Sequence, residues 1–193
     1  MARELEMIKS IERCVDRFAC EAVKRKVMEG SEKLTAKSSK AEVASWVKGV
    51  MERLDAHVDE QTRFQIMENC GYACSGVNRR VIEKAKARRK KFKSDDEFLE
   101  AEQRKPMKGT KLERKRNVLH QFYTPRSYAK SLRCYCGLLR GLPANEQISR
   151  TYCHCSKGFV RKFWEGVLER PVKVDLIQSA VSGAEECEFV VHL

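Results

Sequence analysis

The chain contains no apolar run that approaches the ~20 residues of a membrane-spanning helix. Its start, Met1-Ala2-Arg3-Glu4, leads into a charged amphipathic pattern and not into a signal peptide. Both absences predict a cytoplasmic protein without a membrane span. The sequence also lacks internal repeats, a nucleophile elbow, a His-Glu-x-x-His motif, a phosphate loop and a dinucleotide fingerprint. No common hydrolase or nucleotide-binding class is therefore indicated.

Charge is abundant where long apolar runs are missing. Charged residues make up 34% of the 193 residues, above the usual value of about 25%, which predicts long helices with solvated faces in one ordinary domain. The formal net charge is +12, and most of the excess lies at residues 79–93 and 104–116. Acidic residues such as Glu83 and Asp95 interrupt these segments, and no nucleic-acid motif accompanies them. A solvated helix face is therefore favoured over a nucleic-acid site.

Helical periodicity dominates the N-terminal half. Apolar residues recur every three or four positions over residues 3–29, and Gly30 follows as a stop signal. Ser39 and Glu42 have the spacing of a capping box and predict the start of a second helix. Ser94 gives a similar signal for a short helix that ends before Pro106. The residues that follow this short helix are interpreted as a charged loop.

A further helical pattern begins near Asp59 and contains two cysteines. Gly71 and Gly76 predict a break or kink in it. Cys70 and Cys74 are one helical turn apart if the segment stays helical, so that their thiols could face the cysteines of the C-terminal third. Packing of two buried thiols at a kink is the alternative.

Alternating patterns appear in the C-terminal third. Residues 131–138 and 149–155 are interpreted as two strands that flank a turn-rich segment. Residues 172–177 and 187–191 also alternate, and Ser182-Gly183 predicts a tight connection between them. The chain is therefore expected to end in an antiparallel hairpin.

A helix separates the two predicted strand pairs. Ser156 is interpreted as its cap, and Phe163 and Trp164 belong to its broad apolar face. The fold class is therefore predicted as α+β, with the strand order strand, strand, helix, strand, strand. A helical region at 1–117 is expected to pack against an α+β region at 118–193 as one compact unit.

Two Cys-x-Cys pairs form the candidate metal site. If Cys134, Cys136, Cys153 and Cys155 lie on paired strands, the two sulfurs of each pair point to one face and four thiols converge. Zinc takes four such ligands. The same four cysteines could instead bind an iron–sulfur cluster. A further alternative is that they bind nothing and serve as small, reduced core residues. If the strand is regular, His154 should point to the opposite face and would be a poor further ligand.

Several segments of the C-terminal third resemble the vinyl-reductase-type small-molecule-binding domain. They are residues 152–159, Trp164-Glu165, residues 170–175 and the last hairpin, with its Gly183, Cys187 and Phe189 in a Gly-x-x-x-Cys-x-Phe pattern. The whole chain also resembles an uncharacterised cysteine-rich prokaryotic family and, more distantly, the aminothiazoline-carboxylate hydrolase-like proteins. The resemblance implies an α/β domain, often a homodimer, that encloses a pocket for a small hydrophobic ligand.

The chain departs from these relatives at their zinc site. The position of one zinc-binding cysteine is kept as Cys187, but the cysteine eight residues earlier is Ser179, and the carboxylate three residues before that is Leu176. Any zinc in this chain would therefore use a different thiol set.

The leading functional interpretation is a cytosolic, sensor-like protein that binds a small molecule or a metal without catalysis. Two alternatives stay open, a hydrolase of the aminothiazoline-carboxylate type and a basic nucleic-acid-binding module. The pocket is predicted between the sheet and the helices that carry Trp46 and Phe64. Its candidate ligand-binding residues are His120, Phe122, Tyr123, Phe163 and Trp164.

Overall fold

The computed structural model describes residues 2–127, 129 and 132–193, which contain seven α-helices and a four-stranded sheet. The helices are α1 (Ala2–Phe18), α2 (Glu21–Val27), α3 (Lys40–His57), α4 (Glu60–Val77), α5 (Arg79–Arg89), α6 (Asp95–Arg104) and α7 (His154–Leu168). The strands are β1 (Thr110–Lys115), β2 (Val118–Tyr123), β3 (Lys173–Gln178) and β4 (Cys187–His192). The predicted α+β class is confirmed.

Helices α3 and α6 begin where the capping signals in the sequence predict. The Ser39 hydroxyl accepts a hydrogen bond from the Glu42 amide, and the Glu42 carboxylate accepts one from the Ser39 amide at 2.6 Å, so the capping box is complete. The Ser94 hydroxyl accepts from the Glu97 amide in the same way at the start of α6. Gly30 has the left-handed φ of 82° expected of a residue that follows a helical segment.

Two helix predictions were wrong. The single helix predicted over residues 3–29 is two helices, α1 and α2, interrupted at Ala19 and Cys20. The break predicted at Gly71 and Gly76 is wrong for Gly71, because α4 continues through that residue to Val77, but the helix does end just after Gly76, with Asn78 as its C-cap residue. Gly71 instead allows a close contact between two helices, which is described below.

All neighbouring strands of the sheet are antiparallel, in the order β1, β2, β4, β3. Leu119 lies opposite Val191, and Val191 lies opposite Val174, so that one buried row crosses three strands. Helix α7 joins the two halves of the sheet and packs against the buried face. The predicted C-terminal hairpin of β3 and β4 is confirmed.

The first two strands are not the predicted ones. Residues 149–155 form a 3-10 turn (Arg150–Cys153) followed by the start of α7, and residues 132–138 are irregular up to a 3-10 turn at Gly137–Leu139. Ser131, the first residue of one predicted strand, lies outside the described residues. The strands β1 and β2 come instead from segments interpreted as loops. Ser156 also does not cap α7, because the helix begins two residues earlier.

A single hydrophobic core joins both halves of the chain. It extends from Ile8 on α1 to Val191 on β4, and its largest fully buried side chain is Trp164. The helical region and the sheet therefore share one interior. Within the described part of the chain, no helix is long and apolar enough to cross a membrane.

The axes of α4 and α7 approach closely at two glycines. A Cβ atom on Gly71 would lie 2.7 Å from the Phe159 backbone nitrogen, and one on Gly158 would lie 2.9 Å from the Glu68 carbonyl carbon. Both distances are too short for carbon in van der Waals contact, so only glycine permits this packing. The close approach brings the cysteines of α4 next to the start of α7.

Candidate functional site

Both Cys-x-Cys pairs lie outside the sheet. Cys134 and Cys136 belong to the irregular segment before the Gly137–Leu139 turn, where the Cys136 amide contacts the Cys134 sulfur at 3.4 Å. Cys153 ends a 3-10 turn, and Cys155 is the second residue of α7. The argument from strand alternation therefore does not apply to these four residues.

Arg133 anchors the segment that carries Cys134 and Cys136. Its guanidinium group donates hydrogen bonds to five backbone carbonyls in two separate loops. The acceptors are the carbonyls of Pro143, Ala144, Glu146, Ala180 and Val181. A planar guanidinium with five N–H donors can bridge two loops in this way, so Arg133 ties the thiol segment to the turn that precedes β4.

A cavity of about 490 Å³ lies between α1, α4 and the segments that contain the Cys-x-Cys pairs. Thiols from three parts of the chain line it, namely Cys70 and Cys74 from α4, Cys136 and Cys155. The predicted meeting of the α4 thiols with two of the C-terminal cysteines therefore occurs. A volume of this size suits a small organic molecule.

The rest of the cavity wall is mainly apolar. Its apolar lining residues are Met7, Ile11, Met67, Ala73, Val77 and Leu138. Among them Ala73 is exposed and Val77 is 72% exposed, so both lie at the mouth. The charged lining residues, Glu6 and Arg13, are also exposed, and Glu6 is paired with Lys9 at 3.1 Å. Charge is therefore confined to the rim, and the interior is lined mainly by carbon and sulfur, with Ser10 and the buried Tyr152 as its hydroxyl-bearing residues.

Two of the cavity thiols, Cys70 and Cys155, are held in their neutral form. Burial raises the pKa of Cys155 well above its usual value, and the nearby Cys136 and Cys74 raise it further. The pKa of Cys70 is also raised, first by its hydrogen bond with Cys14 and then by burial. Because the charged form of each group is disfavoured, these sulfurs are poor nucleophiles at neutral pH.

A second thiol group lies deeper, beside β4. The Cys153 sulfur is 2.8 Å from the Ser179 hydroxyl, and the Cys187 sulfur accepts the Ala180 amide at 3.4 Å. A hydrogen bond with Cys187, followed by burial, raises the pKa of Cys153. Ser179 thus occupies a buried position next to two thiols, and Leu176 is a core residue of β3.

The described residues do not form a metal site of three or more ligands. No group of three or more histidine, cysteine, aspartate or glutamate side chains within residues 2–127, 129 and 132–193 is arranged to hold a metal ion. His154 is buried at the start of α7 and stacks on Phe64, with ring centroids 3.6 Å apart. It is not among the described residues that line the cavity.

The five predicted ligand-binding residues lie elsewhere, on β2 and α7. His120 contacts Glu188 at 2.7 Å through Nδ1, and Trp164 donates from Nε1 to the buried Gln121 oxygen at 2.7 Å. The Phe163 ring packs edge-on against Trp164. Phe122 and Tyr123 also lie on β2, and the Phe122 ring has the Lys111 ammonium 4.4 Å from its centroid. None of the five is among the described residues that line the cavity.

The predicted aromatic side chains of α3 and α4 also lie away from the cavity lining. Trp46 donates from Nε1 to the Glu29 carbonyl at 3.0 Å, and Phe64 packs on His154. Sequence analysis missed the contribution of α1. Met7 and Ile11 are four residues apart and therefore share one helix face, but nothing in the sequence indicates that this face covers α4.

Solved structures provide the fold comparison. The crystal structure of an Fe(II) unliganded H-NOX protein from K. algicida superposes with a TM-score of 0.52 and 14% identity, over 97% of this chain and 95% of that one. A point mutant of that protein gives a TM-score of 0.51 with 15% identity, over 96% and 94%. At these identities the likeness shows a shared fold.

Three further comparisons concern another solved structure, the curated protein sequences and a family model. The phenol-responsive sensory domain of the transcription activator PoxR, solved with phenol, has a TM-score of 0.40 and 16% identity over 82% of this chain and 76% of that one. No curated protein sequence matches. The model of a family of unknown function, DUF6144, matches residues 3–192.

Proposed function

We propose that this chain, which belongs to DUF6144, a family of unknown function whose model matches residues 3–192, binds a small hydrophobic molecule, as a sensor domain does. The proposal comes from the chain's own cavity. One observation carries the proposal, a cavity of about 490 Å³ with an apolar and sulfur-rich interior and a charged rim. Burial of a ligand's apolar surface provides about 25 cal/mol per Å². The charged rim would remain in water when the ligand is bound.

The chemistry of the interior favours binding over catalysis. A general acid or base needs a titratable group whose pKa lies near the working pH. The cavity thiols Cys70 and Cys155 instead have raised pKa values, and the lining carboxylate of Glu6 is exposed at the rim and paired with Lys9. Neither kind of group is a buried general base, so the cavity gives the hydrolase interpretation no support.

Two sources support the proposal from outside the cavity. The H-NOX structures are described as Fe(II) unliganded, so a protein of this fold contains iron. The resemblance to vinyl-reductase-type domains, which stays a prediction, also implies a pocket for a hydrophobic ligand. Neither source identifies the ligand of this chain.

A blocked cavity mouth provides the test. Ala73→Trp places a large side chain at the exposed mouth, and Ala87→Trp, at an exposed position on α5 away from the cavity, is the matched control. Fluorescence titration with the uncharged apolar dye N-phenyl-1-naphthylamine should show saturable one-to-one binding to the wild type and to the control. Affinity should fall by about 10-fold or more in Ala73→Trp, a loss of about 1.4 kcal/mol. Equal affinity in the two variants would refute binding in this cavity.

The zinc prediction requires a separate measurement. It assigns the ion to Cys134, Cys136, Cys153 and Cys155, with an iron–sulfur cluster as the alternative. Mass spectrometry of anaerobically purified protein, with its visible absorption spectrum, measures both. Near-stoichiometric metal that is lost in Cys134→Ser and Cys153→Ser variants would support the metal site. Colourless, metal-free protein would exclude it.

A further inference from the structure

Sulfur is the distinctive element of the cavity wall. Six of its fourteen lining residues carry a sulfur atom: Met7, Met67, Cys70, Cys74, Cys136 and Cys155. They come from α1, α4, the irregular segment and α7. The charged groups that could bind an anion or a hard cation, namely Glu6 and Arg13, are exposed at the mouth, and Tyr152 supplies a buried hydroxyl. The interior therefore offers soft donors and apolar contacts.

The thiols disfavour two simple ligand classes. Neutral thiols are weak hydrogen-bond donors and weak acceptors, so they would not hold a strongly polar ligand. A zinc ion bound by several thiolates would carry a net negative charge, which an apolar cavity disfavours. Soft centres, by contrast, prefer sulfur over oxygen and nitrogen.

From this donor set we infer that the ligand is a hydrophobic organic compound of trivalent arsenic, whose arsenic atom is bonded by two cavity thiols while its organic group fills the cavity. The inference rests on the proposed function, because it names the ligand class of the same cavity.

The bonding step requires no oxidant and leaves no charge. In the hydrated form of phenylarsine oxide, arsenic carries one phenyl group and two hydroxyl groups. Two As–O bonds break and two As–S bonds form, and each hydroxyl leaves with a thiol proton as water. Arsenic remains trivalent and both sulfurs remain at the thiol oxidation level. Because the reactants and the product are neutral, the adduct places no net charge against the apolar wall of the cavity.

Cys155 is the central thiol of the set. Among the thiols close enough to affect its pKa, Cys136 has the largest effect and Cys74 the next. The backbone contact of Gly71 with the first turn of α7 holds the α4 thiols beside Cys155. We expect arsenic to be bonded by Cys155 together with Cys136 or Cys74.

The test is native mass spectrometry of the reduced chain with one equivalent of phenylarsine oxide and an excess of glutathione. A single thiol loses arsenic to this monothiol competitor, whereas two thiols in one site retain it with an advantage of about 100-fold. The wild type should retain one phenylarsenic group. Cys20→Ser, which removes an exposed thiol outside the cavity, should retain it equally.

The cavity variants should lose the adduct. Cys155→Ser should release phenylarsenic to glutathione, and one of the two variants Cys136→Ser and Cys74→Ser should bind it about 100-fold more weakly, which identifies the second thiol. If Cys155→Ser does not fold, the variants of the partly exposed Cys136 and Cys74 provide the test in its place. Retention of phenylarsenic by every cavity variant would overturn the inference, and loss in Cys153→Ser would then place the adduct in the deeper thiol group.

The dye titration separates this inference from the proposed function. If the wild type binds N-phenyl-1-naphthylamine but retains no phenylarsenic group, the arsenic ligand is excluded and the hydrophobic cavity stands. If it binds neither, both proposals fail.

Discussion

Replacement of Gly71 by alanine examines the contact that assembles the cavity. The added Cβ atom would lie 2.7 Å from the Phe159 nitrogen and 3.0 Å from the Cys155 carbonyl carbon. Both obstacles are backbone atoms of α7, so no side chain can rotate away to make room. The two helices must separate, and every contact along their interface weakens.

The expected magnitude follows from two opposing effects. Overpacking against a well-packed interior costs about 1–3 kcal/mol, and the rigid backbone obstacle places Gly71 toward the upper end. Alanine returns up to about 1 kcal/mol through its higher helix propensity. The net loss is therefore about 1–2 kcal/mol, which lowers the Tm of a chain of this length by about 2–8 °C.

Gly76→Ala is the matched control in the same helix. No heavy atom lies within 4 Å of the position of its Cβ atom, so only the gain in helix propensity remains. Thermal and urea unfolding followed by circular dichroism should show Gly76→Ala at or above the wild-type stability and Gly71→Ala below it. Equal stability of the two variants would refute the close approach of α4 and α7.

Three other outcomes follow from individual contacts. Trp164→Phe should lower the free energy of unfolding by about 1–3 kcal/mol, because the buried Gln121 oxygen loses its donor; an unchanged urea midpoint would contradict this. Arg133→Lys should speed amide hydrogen exchange in the loops it bridges by about 10-fold, since lysine lacks the planar fork, and unchanged exchange would argue against the anchor. Burial raises the pKa of Glu68, but hydrogen bonds from α7 side chains, including Lys157 at 2.5 Å, outweigh it and lower the pKa overall. The ionised carboxylate therefore contributes stability that is present above the ordinary pKa of glutamate and is lost as the pH falls through the lowered pKa of the folded state. A Lys157→Met variant should lose less stability over that fall in pH, and parallel curves of stability against pH for the two proteins would refute the ion pair.

Local signals determined most of the helical half and the last hairpin. The capping box at Ser39 and the cap at Ser94 act within four residues, so the sequence predicts them without knowledge of the fold. Alternation over residues 172–177 and 187–191 predicts β3 and β4 for the same reason. Because each of these strands has one buried and one solvated face, apolar and polar residues alternate along it with a period of two.

The strand β1 shows where such signals fail. Its sequence, Thr-Lys-Leu-Glu-Arg-Lys, has Leu112 as its one buried residue, because an edge strand exposes most of its side chains. Conversely, residues 149–155 include a buried row that alternation alone cannot distinguish from a helix start. Cys153 and Cys155 were therefore assigned to a strand, although they belong to the turn before α7 and to α7 itself.

One part of the candidate site can be predicted from the sequence, and the rest depends on the tertiary structure. Spacing alone put Cys70 and Cys74 on one helix turn, because residues four apart share a helix face whatever the tertiary structure. Their meeting with Cys136 and Cys155 depends on contacts between residues far apart in the chain, the Gly71 contact with α7 and the carbonyls held by Arg133. Such contacts leave no periodic trace in the sequence, since each is set by the packing of whole elements, and so only the tertiary structure decided where the cavity lies.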